Sequence, residues 1–259
     1  MEFTSVNKIF EAAFKKHWDR PAISNYQGVT LHYRDVARRI EKLHIMFEEC
    51  GLKKGDKVAL CSRNQANWAV AFLASMTYGA VPVPLLHEFK SSNIHHLVNH
   101  SEAKILFVDD VIWEGLTETE MPDVHAIIQV NTFKLLYAAE DSIRSAREHL
   151  NELFGRKYPN AFTPESINYY EDSAEELAII NYTSGTSGFS KGVMIPYRAI
   201  FSNMEFAKKV LPGLDHTRNI VSMLPSAHMY GLMFELLYEL SVGAHVHFLS
   251  RVPSPKIIM

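Results

Sequence analysis

The sequence predicts an α/β fold of mostly parallel sheets layered with helices. Three observations predict it. Short apolar runs alternate with amphipathic helical patterns along the whole chain. Several runs, such as "KVALCS" and "KILFVDD", are apolar almost throughout rather than at every second residue. No repeat period or low-complexity tract competes with that alternation. A strand that is apolar on both faces is buried on both, which suits a parallel sheet covered by helices on each side.

The elements follow in order. "SVNKIFEAAFKKHW" spaces Val6, Ile9, Phe10, Ala13 and Phe14 as one helical face, with Ser5 available to cap it. "AISNYQGVTLHY" reads as two short strands around Gly28, a hairpin. In "YRDVARRIEKLHIMFEECG", Val36, Ile40, Leu43 and Phe47 share a helix face and Gly51 ends it. "KVALCS" reads as a buried strand, "ANWAVAFLASMTYG" as a buried helix closed by Gly79, and "VPVPL" as a short extended piece. "SNIHHLVNHSEA" is a helix, "KILFVDD" and "VHAIIQV" are strands, and "EDSIRSAREHLNELF" is one amphipathic helix. "GRKYPNAFTPESINYYEDS", with two prolines and mixed polar residues, is the linker candidate. Beyond it lie "ELAIINYTS" and "GVMIP" as strands, the helix "YRAIFSNMEFAKKVL", the strand "NIVSML", the helical stretch "HMYGLMFELLYELSVG" and the strand "HVHFL".

Bulk properties narrow the function. The 259 residues suffice for one large α/β domain or two modest ones, and 47% hydrophobic with 21% charged residues is an ordinary globular balance. A net charge of −3 without a basic block argues against a nucleic-acid surface. Cys50 and Cys61 form no CxxC pair or metal-ligand spacing, so reduced thiols are expected. "MEFTSVNK" has no apolar core of an export signal, and "WAVAFLASM" is far short of the roughly 20 residues a membrane span needs. A cytoplasmic enzyme is the expectation.

The most informative stretch is "NYTSGTSGFSKG", residues 181–192. Its six small residues, Thr183 to Gly188, cannot build a core. Glycines let successive backbone N–H groups converge on one point, and Thr and Ser hydroxyls add donors on short side chains. Lys191 brings a full positive charge on a flexible stem, suited to a phosphate that moves or leaves. A flexible Ser/Gly turn is the plainer reading of such a composition. The lysine and the glycines at fixed offsets favour a polyphosphate cradle. It is not a Walker loop, because Ser190 precedes the lysine and the following "VMI" looks extended rather than helical. No GxGxxG occurs, so the dinucleotide-binding fingerprint is missing too.

"YTSGTSGFSKGVM" resembles the phosphate loop of the adenylate-forming superfamily, which includes acyl-CoA synthetases, luciferases and peptide-synthetase adenylation domains. The usual pattern is YTSGTTGxPKGV; Ser187 replaces the second Thr and keeps its hydroxyl, while Ser190 replaces the Pro and gives up its rigidity. "LHYRDVARRI", "GDKVALCSRNQANWAVAFLASMTYGAVPVPL", "SEAKILFVDD" and "LPSAHMYGL" are similar to further family segments, so the resemblance runs along nearly the whole chain. It is closest to long-chain fatty-acid–CoA ligases.

The resemblance implies the N-terminal portion of the family's large domain. Residues 60–175 would form a first α/β layer, and residues 1–59 plus 176–259 an incomplete second one. It implies ATP and magnesium, with coenzyme A as co-substrate. A fatty acid would become an acyl-adenylate with release of pyrophosphate, and then an acyl-CoA thioester. Thr183, Ser184, Gly185, Thr186, Ser187 and Gly188 would hold the β- and γ-phosphates, and Lys191 would balance their charge. His228 would lie near the acyl carboxylate, and Gly231 would leave room for the acyl chain. His228 is the only candidate for a catalytic part. Without the family setting it would read as a half-buried histidine beside a turn. His96 and His100, one helical turn apart, lack a third ligand and read as a solvated helix face, so no metal site is assigned. His245 and His247 share a strand face.

Residues 1–259 stop short of the family's "YGxTE" and "TGD" segments and of its mobile C-terminal domain with a late lysine. On their own they are expected not to complete adenylation, and to self-associate through an open sheet edge. The expected partners are small molecules (fatty acid, ATP, coenzyme A), with peripheral membrane contact for a lipid substrate and no nucleic acid. A carrier-protein ligase is the alternative within the enzyme class. A non-catalytic nucleotide- or partner-binding module is the alternative outside it.

Overall fold

The computed structural model describes residues 2–183 and 190–249. The chain opens with helix α1 (Val6–Lys16), and the Ser5 side chain accepts a hydrogen bond from the Lys8 amide. A hairpin follows, β1 (Pro21–Asn25) antiparallel to β2 (Thr30–His32), and leads into α2 (Tyr33–Glu49). Helix α2 ends at Cys50 and turns through Gly51, whose φ of +68° is the left-handed region glycine enters freely.

The largest sheet has five strands. β3 (Lys57–Cys61), β4 (Val81–Leu85), β5 (Ala103–Val108) and β6 (Ala126–Gln129) run parallel, and β7 (Leu135–Ala138) returns antiparallel along β6, in the order β4-β3-β5-β6-β7. Pro82 and Pro84 fit the edge position of β4, since neither can donate to a further neighbour. Helix α3 (Ala66–Tyr78) is buried on all sides except at its last residue. This explains its uniformly apolar sequence. Helix α4 (Ser91–His100) and the short α5 (Asp110–Trp113) complete the crossovers.

A second sheet joins the two ends of the chain. β10 (Asn219–Ser222) and β11 (His245–Phe248) run parallel to each other, and β11 pairs in parallel with β1, giving the order β10-β11-β1-β2. Between them α8 (Tyr197–Val210) packs behind a two-stranded ribbon, β8 (Leu177–Thr183) and β9 (Lys191–Pro196). After β10 the chain forms α9 (Met229–Leu232), a π-helical turn (Met233–Leu237) and α10 (Tyr238–Ser241). The two cysteines are buried and unpaired, and burial pushes both thiols up to about 12. No helix among the described residues is long and apolar enough to cross a membrane.

Three sequence expectations need revision. "EDSIRSAREHLNELF" is two helices, α6 (Asp141–Glu148) and α7 (Leu150–Lys157), broken at His149, whose ring takes up the Ser145 carbonyl. β7 has no counterpart in the sequence pattern, because a half-buried four-residue edge strand carries no periodicity long enough to read. The linker candidate is a strap fixed to the body rather than a loose connection. The Asp172 carboxylate accepts from the Ser5 hydroxyl at 2.6 Å and from the Val6 and Asn7 amides at 3.0 and 2.8 Å, so it caps α1 from across the sequence. Tyr169 is fully buried, and its amide donates to Glu11 at 2.8 Å. Tyr170 lies over Gly79, where a Cβ would come within 3.0 Å of the ring.

Candidate functional site

The ribbon brings the two ends of the small-residue loop together. In the antiparallel register Thr183 faces Lys191, Tyr182 faces Gly192 and Asn181 faces Val193. The hydroxyl-bearing and the cationic ends of the loop therefore flank one opening, both on exposed residues. Ser184, Gly185, Thr186, Ser187 and Gly188 lie outside the described residues.

Glycine at 192 has a packing reason. A Cβ there would stand 3.2 Å from the Tyr182 ring and 3.2 Å from Ile180 Cγ2. The Tyr182 hydroxyl in turn meets His100 Nδ1 at 2.6 Å, which ties β8 to α4. His100 therefore serves as an anchor for the ribbon, a role its helical spacing with His96 does not suggest. Among the described residues no group of three or more His, Cys, Asp or Glu side chains is placed to hold a metal ion.

Beside the ribbon lies the turn "MLPSAH", residues 223–228, held from three directions. Glu235, on the π-helical turn, accepts from the Ser222 hydroxyl at 3.1 Å and from the Met223 and Leu224 amides at 2.8 and 2.9 Å. Asn64, in the loop after β3, accepts from the Ser226 amide at 2.7 Å and donates to the Leu224 carbonyl at 2.5 Å. Asn181 donates to the Ala227 carbonyl at 2.8 Å in a buried contact. The last bond matters most for the site. Two residues before Thr183, it couples the strand that launches the loop to the turn that ends at His228.

His228 itself is exposed, its amide donates to the Pro225 carbonyl at 2.9 Å, and it opens α9. Gly231 has a packing reason of its own. A Cβ there would lie 2.8 Å from the Pro225 carbonyl oxygen and 3.0 Å from Leu224 Cβ. The room this glycine frees is filled by the turn, which could not fold against α9 otherwise.

Asn64 also borders a crevice of 390 Å³ lined by Asn25, Arg63, Gln65, Asp109 and Asn131. The crevice sits over the C-terminal ends of β3 and β5. There the chain order reverses, because β3 continues to β4 on one side while β5 lies on the other. Open α/β sheets gather ligands at that position. Asp109 organises its floor, accepting from the Arg63 amide at 2.9 Å and from Gln65 Nε2 at 3.0 Å. Burial raises its carboxyl above the usual range despite those bonds.

Asn181, Glu235 and Asn64 escape sequence reasoning. Two of them leave a signal: Asn181 is a lone amide inside an apolar strand, and Glu235 is one of two acids, with Glu239, inside an apolar helical stretch. A polar group in such a place is kept because something hydrogen-bonds to it.

Comparison with known proteins places this architecture. The family model described as "AMP-binding enzyme" matches residues 10–259. The long-chain-fatty-acid–CoA ligase of Salmonella typhimurium is 25% identical over 259 residues, covering 93% of this chain and 46% of that protein. Fatty acyl-CoA synthetase A of Dictyostelium discoideum is 24% identical over 200 residues, covering 77% of this chain and 30% of that protein. Among solved structures, ATP-bound MatB from Rhodopseudomonas palustris superposes with a TM-score of 0.77 at 21% identity, over 98% of this chain and 47% of that one. The N-terminal subdomain of Klebsiella oxytoca NpsA, in complex with 3-hydroxybenzoyl-AMSN, gives 0.71 at 22%, over 99% and 57%. The chain thus spans about half the length of the relatives it matches.

Proposed function

Because the chain belongs to the family of AMP-binding enzymes, we propose that it is the N-terminal part of a cytoplasmic ATP-dependent ligase that activates fatty acids as acyl-adenylates and passes them to coenzyme A. The observation that carries this reading is the register of the ribbon, which sets Thr183 opposite Lys191 across the mouth of the glycine- and hydroxyl-rich loop. A hydroxyl donor and an ammonium side by side suit an anion of several oxygens, and the intervening Ser184, Gly185, Thr186, Ser187 and Gly188 would supply the remaining donors.

The chemistry assigns distinct tasks. A carboxylate oxygen of the fatty acid attacks the α-phosphorus of ATP, the bond from that phosphorus to the bridging oxygen breaks, and pyrophosphate leaves. Thr183 and the loop hold the departing phosphates, and Lys191 compensates charge that grows as they separate. Magnesium supplies further neutralisation of the phosphate oxygens. The thiol of coenzyme A then attacks the acyl carbon, and AMP departs with the electron pair of the cleaved C–O bond. His228 stands at the end of the turn that Asn181 fastens to β8, where the acyl carboxylate would approach.

The test has two arms. Titrating the protein with magnesium pyrophosphate is expected to move the amides of Thr183 and Lys191, and Lys191→Gln to weaken binding roughly tenfold or more, the loss expected for one charge-assisted contact. Exchange of labelled pyrophosphate into ATP, dependent on fatty acids of graded length, reads the substrate class in the protein carrying these residues. Amides that stay in place with saturating pyrophosphate would overturn the assignment of the loop. Exchange driven by other carboxylic acids but not by fatty acids would overturn only the substrate class.

A further inference from the structure

On α2, Arg39 and Lys42 stand one helical turn apart, and Arg147 approaches them from α6. Together they border a cavity of 230 Å³. None of the three, nor the adjacent Arg38, enters an ion pair among the described residues. Each is held instead by a neutral acceptor. Arg39 Nη1 donates to Asn67 Oδ1 at 2.5 Å, Lys42 Nζ to Asn151 Oδ1 at 2.7 Å, and Arg147 Nε to the Phe133 carbonyl at 2.8 Å. These bonds aim the side chains but use only a fraction of their donors, since a guanidinium carries five and an ammonium three.

The charges also act on one another. The Lys42 ammonium is pushed below its usual range, first by burial and then by the positive charges of Arg38, Arg147 and Arg39. Burial likewise pushes the Arg39 guanidinium below its usual range, and the Asp35 carboxylate offsets only part of that. A cluster of like charges held together on a folded surface costs stability unless a counter-ion joins it. The floor beneath the charges is apolar, formed by Leu43, Met46, Ile128, Phe133 and Leu150.

We propose that this cavity is a second ligand site, which binds an oxyanion (a phosphate monoester or a carboxylate) whose apolar tail lies on the half-buried Phe133 and Leu150. The cations supply forked and single donors to the head, the geometry in which arginine grips phosphate or carboxylate. Leu43, Met46 and Ile128 are already buried, but Phe133 and Leu150 keep apolar surface that gains from covering by hydrocarbon rather than water, and this separates an amphiphile from a bare anion. The site shares no residue with the ribbon, with the turn at residues 223–228 or with the crevice over β3 and β5.

The experiment follows methyl resonances of Met46 and Ile128 while the protein is titrated with hexyl phosphate, hexanoate and inorganic phosphate. Hexyl phosphate or hexanoate is expected to shift both methyls, and whichever binds more tightly identifies the preferred head. Lys42→Gln and Arg147→Gln are each expected to weaken that binding roughly tenfold, with Arg147→Lys recovering part of it. Both side chains are partly exposed, and the unperturbed methyl spectrum of each variant shows whether it has folded; Arg147→Lys, which keeps the charge, carries the test if a neutral variant has not. Shifts confined to methyls outside the cavity overturn the proposal. So does binding left unchanged by the variants, or inorganic phosphate binding as tightly as hexyl phosphate.

Discussion

The five-stranded sheet and the β8–β9 ribbon are built from similar short apolar runs, yet they answer to different demands. In the sheet, β3, β4 and β5 are buried along nearly their whole length, under α3 on one side and α4 on the other. In the ribbon β8 is buried, but β9 turns outward, with Val193 46% and Met194 68% exposed. The inner strands of the sheet are held by packing, because most of their side chains have neighbours on both faces. The ribbon is seated by β8, whose Ala178, Ile179, Ile180 and Tyr182 enter the two cores, and its loop-bearing end is aimed by directed bonds, Tyr182 to His100 and Asn181 to Ala227. Packing makes a platform, and hydrogen bonds aim what stands on it.

The largest expected effect probes the platform. Phe107 in β5 is fully buried, edge-on to Phe47 at 6.2 Å and to Phe133 at 6.1 Å. Phe107→Ala should cost about 3–5 kcal/mol, the usual range for removing a buried ring. Chemical denaturation measures it. A loss below about 1 kcal/mol would mean that the sheet relaxes as readily as the ribbon, and the contrast would fail.

The second sheet supplies a pH-dependent version. Glu239 on α10 is buried, one carboxylate oxygen lacks a partner among the described residues, and burial raises its pKa to about 7, with Glu235 adding to the rise. Below pH 4.5 the group is protonated in folded and unfolded chains alike, and no penalty applies. As pH climbs from 4.5 to 7 the unfolded chain ionises while the folded one holds its proton, so stability falls. The loss levels off above 7 at about 3 kcal/mol, because each tenfold difference in proton affinity between the two states is worth roughly 1.4 kcal/mol. Glu239→Gln should flatten that slope, as read from denaturation midpoints at about pH 4 and pH 8, on either side of the titration. An unchanged slope would show that Glu239 is not the group responsible.

The same division governs what is legible in the sequence. Helices α1, α2 and α3 and strands β3, β5 and β6 are readable because burial writes itself as periodicity: Val36, Ile40, Leu43 and Phe47 fall on one face, and "KVALC" is apolar on both. The strap at residues 155–173 reads as a linker instead. Its polar composition hides the residues that fix it, since Asp172 caps a helix 165 positions away and no local pattern announces that. At the site, the loop from Thr183 to Lys191 is legible because its chemistry is contiguous in the chain. The supports of the turn at 223–228 come from Asn64, Asn181 and Glu235, residues that only folding assembles.

Asn181→Ala separates aiming from packing. It leaves the buried Ala227 carbonyl without its donor, which should cost about 1–3 kcal/mol. More tellingly, amide exchange should accelerate at Ala227 to Leu232 while β3 and β5 keep their protection. Uniform acceleration across both regions would mean that Asn181 supports the whole fold rather than the turn, and the directed-bond account of the ribbon would be lost.

The smallest effect is the most discriminating, because it asks whether the outer face of the ribbon is free. Met194 pairs with Ile180 across the ribbon and points to solvent. Met194→Thr removes exposed thioether and adds a β-branched residue that strands favour, so the two changes should leave stability within about 0.5 kcal/mol, as chemical denaturation would read. If the substitution instead cost well over about 1 kcal/mol, or did so only at high protein concentration, Met194 would be covered in solution and β9 would be an interior strand of a larger assembly. The ribbon would then resemble the sheet it is contrasted with, and Lys191 on the same strand would owe its position to packing on both faces rather than to its pairing with β8.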